Sequence, residues 1–481
     1  MFDKRPKLPA IAGILALAAL VRCLAILAWF LLSGDPQALH YLDTATYLAP
    51  AQSLLEHGTF ERDSLPEIIR GPGYPLLLTL GLAARHVEAV TVALQILLST
   101  ATVYLIYRCA LVLADGQTRL ALLAAAFYAV EPLSVVYSCT LLTETLFTFL
   151  IVSFLLALIH FLKHDSARSL LIAAMFLSAS AFVRPVSYYL PLVVAGVLLF
   201  AAPRDRRFWR PVGVATAFLL VCALPVGAWQ MRNWQLADYP GFSAIVENGL
   251  YFYQQAAVTA SLEGRSLEEV QGELGILDPQ RVLEQHPEWQ GLSAGELHVR
   301  MGAAAKRVIR EHPLMYAKNH LRNIFALLIT PGSGDVVRLT GNFGRDGQAD
   351  GDQAASLRAT SIGSLANVAA GGRARIATAL LLSGIAAVYL LLACYGCFQR
   401  MPARLRWMLI AIGGYFWFVS CLPQPPARLR HPLMPILCLL AAYGVSALIA
   451  RTREQASKKQ LARLSVGVVK RVRLAAHSGV N

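Results

Sequence analysis

Charge is scarce in this sequence: Asp, Glu, Lys and Arg together make 15% of 481 residues, while apolar side chains make 56%. That balance excludes an ordinary soluble globular protein, because several runs reach the roughly 20 apolar residues that cross a bilayer as a helix. A Gly-rich loop of the nucleotide-phosphate kind is missing, which argues against a nucleotide-activated substrate. The eight cysteines are scattered through apolar stretches. Cys394-Tyr395-Gly396-Cys397 has redox or zinc spacing but no second pair, so buried small hydrophobes are expected there. His286, His298, His312 and His320 stand at no metal-ligand spacing with acids or cysteines, and no metal site is expected. Internal repeats and sustained heptads are also missing.

Acids are the scarcer charge, 29 against 43 basic residues, for a net charge of +14. The basic residues fall in short gaps between apolar runs: Lys4, Arg5 and Lys7; Arg108 and Arg119; Lys163 and Arg168; Arg204, Arg206, Arg207 and Arg210; Arg400, Arg404 and Arg406. A tail from Arg451 to Arg473 adds more. Bias of this kind orients helices with the basic gaps in the cytoplasm. The excess therefore signals topology, with membrane lipid as a partner of the tail, and no feature calls for nucleic acid.

These runs predict an all-α integral membrane protein with about ten crossings, at residues 9–32, 88–113, 119–138, 141–163, 169–184, 186–202, 211–228, 376–398, 406–422 and 432–450. The first is expected to be an uncleaved anchor. Two shorter apolar pieces, Tyr74 to Ala84 and Leu321 to Thr330, read as re-entrant or interfacial helices on the outer face; if both cross, the total is about twelve. Four regions result: a membrane module over 1–228 with a first outer loop at 33–72, a polar region over 229–375, closing helices over 376–450, and a basic tail over 451–481. Ser293 and Glu296 stand in capping-box relation before a helix expected from Ala294 to Glu311, and Pro331 to Gly372 reads as a loose loop.

With the amino terminus inside, Asp43, Arg70, Glu144, Arg184, Arg232, Asn233, Arg428 and Arg430 all fall near the outer ends of helices. Taken singly, each is a helix-end charge that snorkels to water. As a group, a loop carboxylate among several guanidiniums beside the membrane marks a site. Arginine forks hold phosphate oxygens bidentately, and a carboxylate can take a proton from an attacking hydroxyl. Spacing leaves two readings open for Asp43, a base or the N-cap of the following helix. It leaves two for Glu144 as well, a helix-start acid or a pocket residue.

The first outer loop contains His40-Tyr41-Leu42-Asp43-Thr44-Ala45-Thr46-Tyr47 and closes on Arg70-Gly71-Pro72-Gly73-Tyr74-Pro75. This resembles the first external loop of the GT-C membrane glycosyltransferases, of the protein-mannosyltransferase and aminoarabinose-transferase type. Leu142-Thr143-Glu144-Thr145-Leu146, Arg184-Pro185, Arg232-Asn233 with Asn248-Gly249 and Tyr251, and Arg428-Leu429-Arg430-His431-Pro432 resemble later segments of that family in order. Many relatives carry Asp-Glu where this chain has Asp43-Thr44, a proline at Gly71, and an aromatic at Leu429.

The resemblance implies a GT-C fold and inverting transfer of a sugar from an undecaprenyl-phosphate-like carrier. The acceptor is a hydroxyl or amine of lipopolysaccharide, glycan, lipid or protein on the periplasmic side of a bacterial inner membrane. It makes Asp43 the base and Arg70, Arg232, Arg428 and Arg430 the phosphate ligands. Tyr47, Tyr74, Glu144, Arg184, Asn233 and Asn248 become pocket residues. No cofactor is expected, and the single acid at Asp43 argues against a divalent metal. The rival readings are a ligase or polymerase using polyprenyl-diphosphate oligosaccharides and a lipid-linked-sugar flippase.

Overall fold

Each apolar stretch expected to cross a membrane is mostly helical in the computed structural model of the chain, which describes residues 8–41, 43–200, 209–276, 278–339, 373–423 and 426–478. Lys4, Arg5, Lys7, Arg204, Arg206 and Arg207 lie outside the described residues, as does most of the loop expected from Pro331 to Gly372. The membrane module comprises α1 (Leu8–Leu32), α2 (Thr44–His57), α3 (Gly73–Ala83), α4 (Val87–Leu113), α5 (Thr118–Ala129), α6 (Pro132–Ser138), α7 (Glu144–His164), α8 (Ala167–Val183), α9 (Leu190–Phe200) and α10 (Trp209–Ala237). The outer region follows with α11 (Ile245–Gly249), a π turn (Leu250–Gln255), α12 (Ala256–Glu263), α13 (Leu267–Glu273), α14 (Pro279–Gln285), α15 (Ala294–Glu311), α16 (Pro313–Ile329) and α17 (Ser333–Leu339). The chain closes with α18 (Arg373–Cys397), α19 (Ala403–Val419), a 3-10 turn (Ala427–Leu433) and α20 (Met434–Ser478). A two-residue hairpin, Glu61–Arg62 against Leu65–Pro66, is the strand pairing among the described residues.

Among the described residues, six helices are long and apolar enough to cross a membrane: Pro9–Leu32, Val87–Leu113, Glu144–His164, Trp209–Ala237, Ile376–Cys397 and Ala427–Lys458. The other expected crossings fall on α8, α9 and α19, of 17, 11 and 17 residues, and on a broken pair. The chain is a multi-pass membrane protein.

That broken pair corrects the single crossing expected at 119–138. α5 and α6 meet at 58° around Glu131-Pro132, because proline lacks the N–H that continues a helix and its ring meets the preceding turn. In an apolar setting the freed carbonyls need donors, and they have them. Arg22 of α1, fully buried, donates to Ala129 O at 3.1 Å, Tyr389 Oη to Phe127 O at 2.8 Å, and Ser134 Oγ to Tyr128 O at 3.3 Å. Glu131 caps α6 by accepting from Ser134 N at 2.5 Å.

Two further boundaries differ from expectation. α10 continues to Ala237, so Arg232 and Asn233 sit on a helix and not in a loop. α20 carries the basic tail as unbroken helix to Ser478. The expected burial of Cys394 and Cys397 is corrected as well: Cys394 is exposed and Cys397 half-buried, because Gly396 is the residue that faces α20, where a Cβ would lie 1.9 Å from Leu440 O. Beyond the membrane helices, α15 runs from Ala294 to Glu311 behind a Ser293–Glu296 capping box. It packs with the π turn around Tyr251, Trp289 and Met301.

The carboxyl end of α7 and the start of α10 are joined at one end of the bundle by Arg210 Nη2–Asp165 Oδ2 at 2.5 Å. The amino end of α7, where Glu144 stands, lies 21 residues or about 31 Å away. That second end holds the residues singled out from the sequence.

Candidate active site

Asp43 stands at the N-cap of α2, yet its carboxylate makes no capping bond. The start of α2 is anchored by Thr44 instead. Its hydroxyl accepts from Tyr41 N at 2.8 Å and donates to Leu141 O at 2.9 Å. Both carboxylate oxygens of Asp43 go to arginines: Oδ1 accepts from Arg70 Nη2 and Oδ2 from Arg428 Nη1, each at 2.7 Å. The Asp43 side chain remains 27% exposed. Burial favours its neutral acid, but the guanidiniums of Arg428 and Arg70 outweigh that and hold the carboxyl below the usual carboxylate range.

Arg70 is built into this position by the turn around it. Buried Glu67 accepts from Ile69 N at 2.6 Å and Arg70 N at 2.9 Å, bending the chain before Gly71. Gly71 then lies against α8, where a Cβ would come within 2.2 Å of Phe182 O. The guanidinium spreads over α2, with Nε donating to Thr46 Oγ1 at 3.0 Å and Nη1 to Tyr47 Oη at 3.2 Å. It sits 4.7 Å from the centre of the Tyr47 ring.

A second ion pair stands beside the first. Glu144, first residue of α7 and 2% exposed, meets Arg184 Nη1 at 2.5 Å. Arg184 follows α8 two residues after the Phe182 carbonyl that contacts Gly71, so one helix end ties the two pairs together. Three guanidiniums, of Arg70, Arg184 and Arg428, thus gather around the carboxylates of Asp43 and Glu144.

Other expected ligands are engaged elsewhere. Arg232 donates to the backbone carbonyls of Glu67 at 2.7 Å and Phe60 at 2.8 Å, clamping the short hairpin beside Trp229. Arg430 lies 3.1, 2.7 and 3.0 Å from the carbonyl oxygens of Leu327, Leu328 and Thr330, at the end of α16. Arg232 thus turns both terminal nitrogens to main chain and Arg430 its Nη1, and the structure brings neither to the Asp43 carboxylate. Asn233 donates to Gly241 O and Phe242 O, holding a turn. Tyr74 is fully buried behind Tyr47, with its hydroxyl on Gln95 Oε1 at 3.0 Å, so it neither lines a pocket nor forms an interfacial belt. Asn248 Oδ1 is buried without a hydrogen-bond partner among the described residues.

Two residues absent from the sequence reading come to this end. Asp335 of α17 accepts from Tyr41 Oη at 2.8 Å and Tyr137 Oη at 2.9 Å. Tyr253 lies on the π turn with Asp43, Arg428 and Arg70 as its charged neighbours, and burial raises its phenol. A π turn shifts the helical register and often marks a functional position. No spacing rule in the sequence announces one.

Residues 70–229, about a third of the chain, match the family model described as dolichyl-phosphate-mannose-protein mannosyltransferase. Over that stretch the chain is similar to a family of the GT-C membrane glycosyltransferases, the class whose resemblance the sequence carries. Within the class, the match is to the protein-mannosyltransferase family. No curated protein matches the chain.

Among solved structures, the archaeal oligosaccharyltransferase AglB from Archaeoglobus fulgidus, in complex with an inhibitory peptide and a dolichol-phosphate, is similar at 13% identity and a TM-score of 0.48. That match covers 94% of this chain and 51% of that one. The Archaeoglobus fulgidus oligosaccharyltransferase in complex with Zn and sulfate gives 14%, 0.48, 94% and 51%. The chain spans about half the length of these structures.

Proposed function

We propose that this protein transfers a glycosyl unit from a polyprenyl-phosphate carrier, of the undecaprenyl-phosphate kind, to a hydroxyl or amine acceptor on the periplasmic face of a bacterial inner membrane. The observation that carries this reading is the Asp43 carboxylate held between Arg70 and Arg428 at one end of membrane-crossing helices. The matched family's description names a sugar on a lipid phosphate, a donor class that the forks of Arg70 and Arg428 suit. A transporter would place ionisable groups near the bilayer midplane. Here Asp43, Arg70, Glu144, Arg184 and Arg428 all stand at helix ends.

Paired with two guanidiniums, Asp43 is a weak base. A carrier phosphodiester offers those forks a competing anion, with two free oxygens set for bidentate hydrogen bonds. As Arg70 and Arg428 turn to it, Asp43 loses the charges that depress it and gains basicity while the donor is in place. The acceptor oxygen or nitrogen then attacks the anomeric carbon. The bond to the phosphate oxygen breaks with its electron pair leaving on the phosphate, and Asp43 takes the acceptor proton. Charge growing on the leaving oxygen is met by Arg70 and Arg428, which stabilise the transition state beyond the ground state. A single displacement inverts the anomeric centre.

The test is mass spectrometry of cell-envelope glycans from cells lacking the gene and cells carrying wild type or Asp43→Asn at equal membrane levels. A glycan present only with wild type supports the reading. Its undiminished presence with Asp43→Asn removes the assigned base.

A further inference from the structure

Asp335 has no part in the chemistry above, yet three distant chain segments converge on it. The carboxylate is 7% exposed. Its Oδ1 takes the hydroxyl of Tyr41, from the loop before α2, and its Oδ2 takes that of Tyr137, from α6. Each carboxylate oxygen thus takes one phenol donor, and no cation pairs with it at ion-pair distance among the described residues. An acid this buried is costly unless its hydrogen bonds are complete.

The placement of Asp335 is set by the segment that leads into it. Arg430 holds the Thr330 carbonyl five residues earlier at 3.0 Å. Gly332, at φ +67°, is wedged between Leu133 and Ala427, where a Cβ would lie 2.8 and 3.0 Å from their side chains. The residues before Asp335 are therefore tied to α6 and to the 3-10 turn that presents Arg428.

Tyr41 carries the consequence to the site. Its backbone N–H donates to Thr44 Oγ1, the contact that starts α2 in place of an Asp43 cap. Tyr41 and Thr44 bracket Asp43 in sequence. A phenol anchored on Asp335 fixes one end of that turn, and the Thr44–Leu141 bond fixes the other.

We infer that Asp335 is a positioning residue: through the hydroxyl of Tyr41 it holds the turn that aims Asp43 between Arg70 and Arg428. The inference deepens the proposed function, resting on Asp43 as the base. It assigns a task to a segment that matches no motif. The Tyr137 bond is the second tether, keeping Asp335 from following Tyr41 when the turn strains.

The experiment uses the full chain in lipid nanodiscs, with Asp335→Ala, Asp335→Asn, Tyr41→Phe and the double variant Tyr41→Phe/Asp335→Ala. Two readouts are taken: amide hydrogen exchange over residues 41–47, and transfer from a synthetic polyprenyl-phosphate sugar into an envelope fraction. Asp335→Ala is expected to speed exchange over 41–47 by about 10-fold or more, since local opening becomes easier. It should lower kcat by about 100-fold, the scale of a one-ångström misplacement, and leave the donor KM within about 2-fold because both arginines remain.

Asp335→Asn keeps a side-chain acceptor for one phenol and should recover much of the rate. The double variant should be little worse than Asp335→Ala alone, because that change already removes the Tyr41 contact. Unchanged exchange in Asp335→Ala overturns the inference, and so do strictly additive single and double effects. If wild type shows no transfer while exchange changes as stated, the positioning contact stands and the proposed function falls.

Discussion

Arg428 Nη1 meets Asp43 Oδ2 at 2.7 Å, joining the last membrane segment of the chain to its first outer loop. Arg70 takes the other oxygen of the same carboxylate at the same distance. A carboxylate gripped from two sides is stable and unreactive until something competes for the arginines, and that competition makes the site testable.

Arg428→Gln should raise the donor KM by roughly 10- to 100-fold, the worth of a charge-assisted hydrogen bond of about 1.5–3 kcal/mol. Arg428→Lys keeps the charge without the planar fork and should recover only part of the loss. Steady-state kinetics with a synthetic polyprenyl-phosphate sugar decide this. An unchanged KM in both variants removes Arg428 from donor binding.

The pH dependence should differ between the free and donor-bound protein. The base must be ionised, so activity falls as pH drops through its pKa. In kcat/KM, which reports the free protein, the acid limb should lie below the usual carboxylate range, since Asp43 is held low by Arg428 and Arg70. In kcat, which reports the complex, the limb should move up toward about 4, where an unpaired Asp titrates. Coincident limbs would contradict the partner exchange. The same sign governs stability: the Asp43 contribution is present above the unfolded pKa and is lost as pH falls through the depressed folded one.

Gly71→Ala should be damaging although it adds only a methyl group. The new Cβ would meet the Phe182 carbonyl at 2.2 Å, a backbone atom that cannot swing aside. Overpacking of this kind costs about 1–3 kcal/mol, and the displaced turn carries Arg70 with it. Thermal unfolding in detergent and donor KM should both worsen. Wild-type values in both would show that the turn has room.

Breaking the second ion pair on one side should cost more than breaking it on both. Glu144→Gln leaves Arg184 largely buried without its counter-charge, and Arg184→Gln does the same to Glu144. Each single change should destabilise by about 3–5 kcal/mol, and the double variant should recover part of that. Chemical denaturation of the three proteins measures it.

Arg232→Ala should lower stability and loosen the hairpin at 61–66 without shifting the donor KM, because its fork holds the carbonyls of Glu67 and Phe60. A large KM change with normal stability would return Arg232 to the phosphate site.

Much of this was legible before the structure. Apolar run length announces membrane helices, since nothing else buries so many carbon-rich residues in sequence. Gly71, between Arg70 and Pro72, marked a turn. A capping box announced α15 to the residue. The bend at Pro132 was readable in principle from proline chemistry, but an unbroken apolar run masked it. Tyr253 was not readable, because a π turn has no composition of its own.

Local chemistry determined which segments are helical, which ends carry arginine, and where a loop carboxylate waits beside the membrane. Those properties depend on neighbours within a few residues. Tertiary structure alone decided which of four similar arginines meets Asp43. Arg70 and Arg428 reach a carboxylate, while Arg232 and Arg430 are consumed by main-chain carbonyls. A guanidinium binds whatever acceptor the packing of remote helices brings to it, and that acceptor is written nowhere near it in the chain.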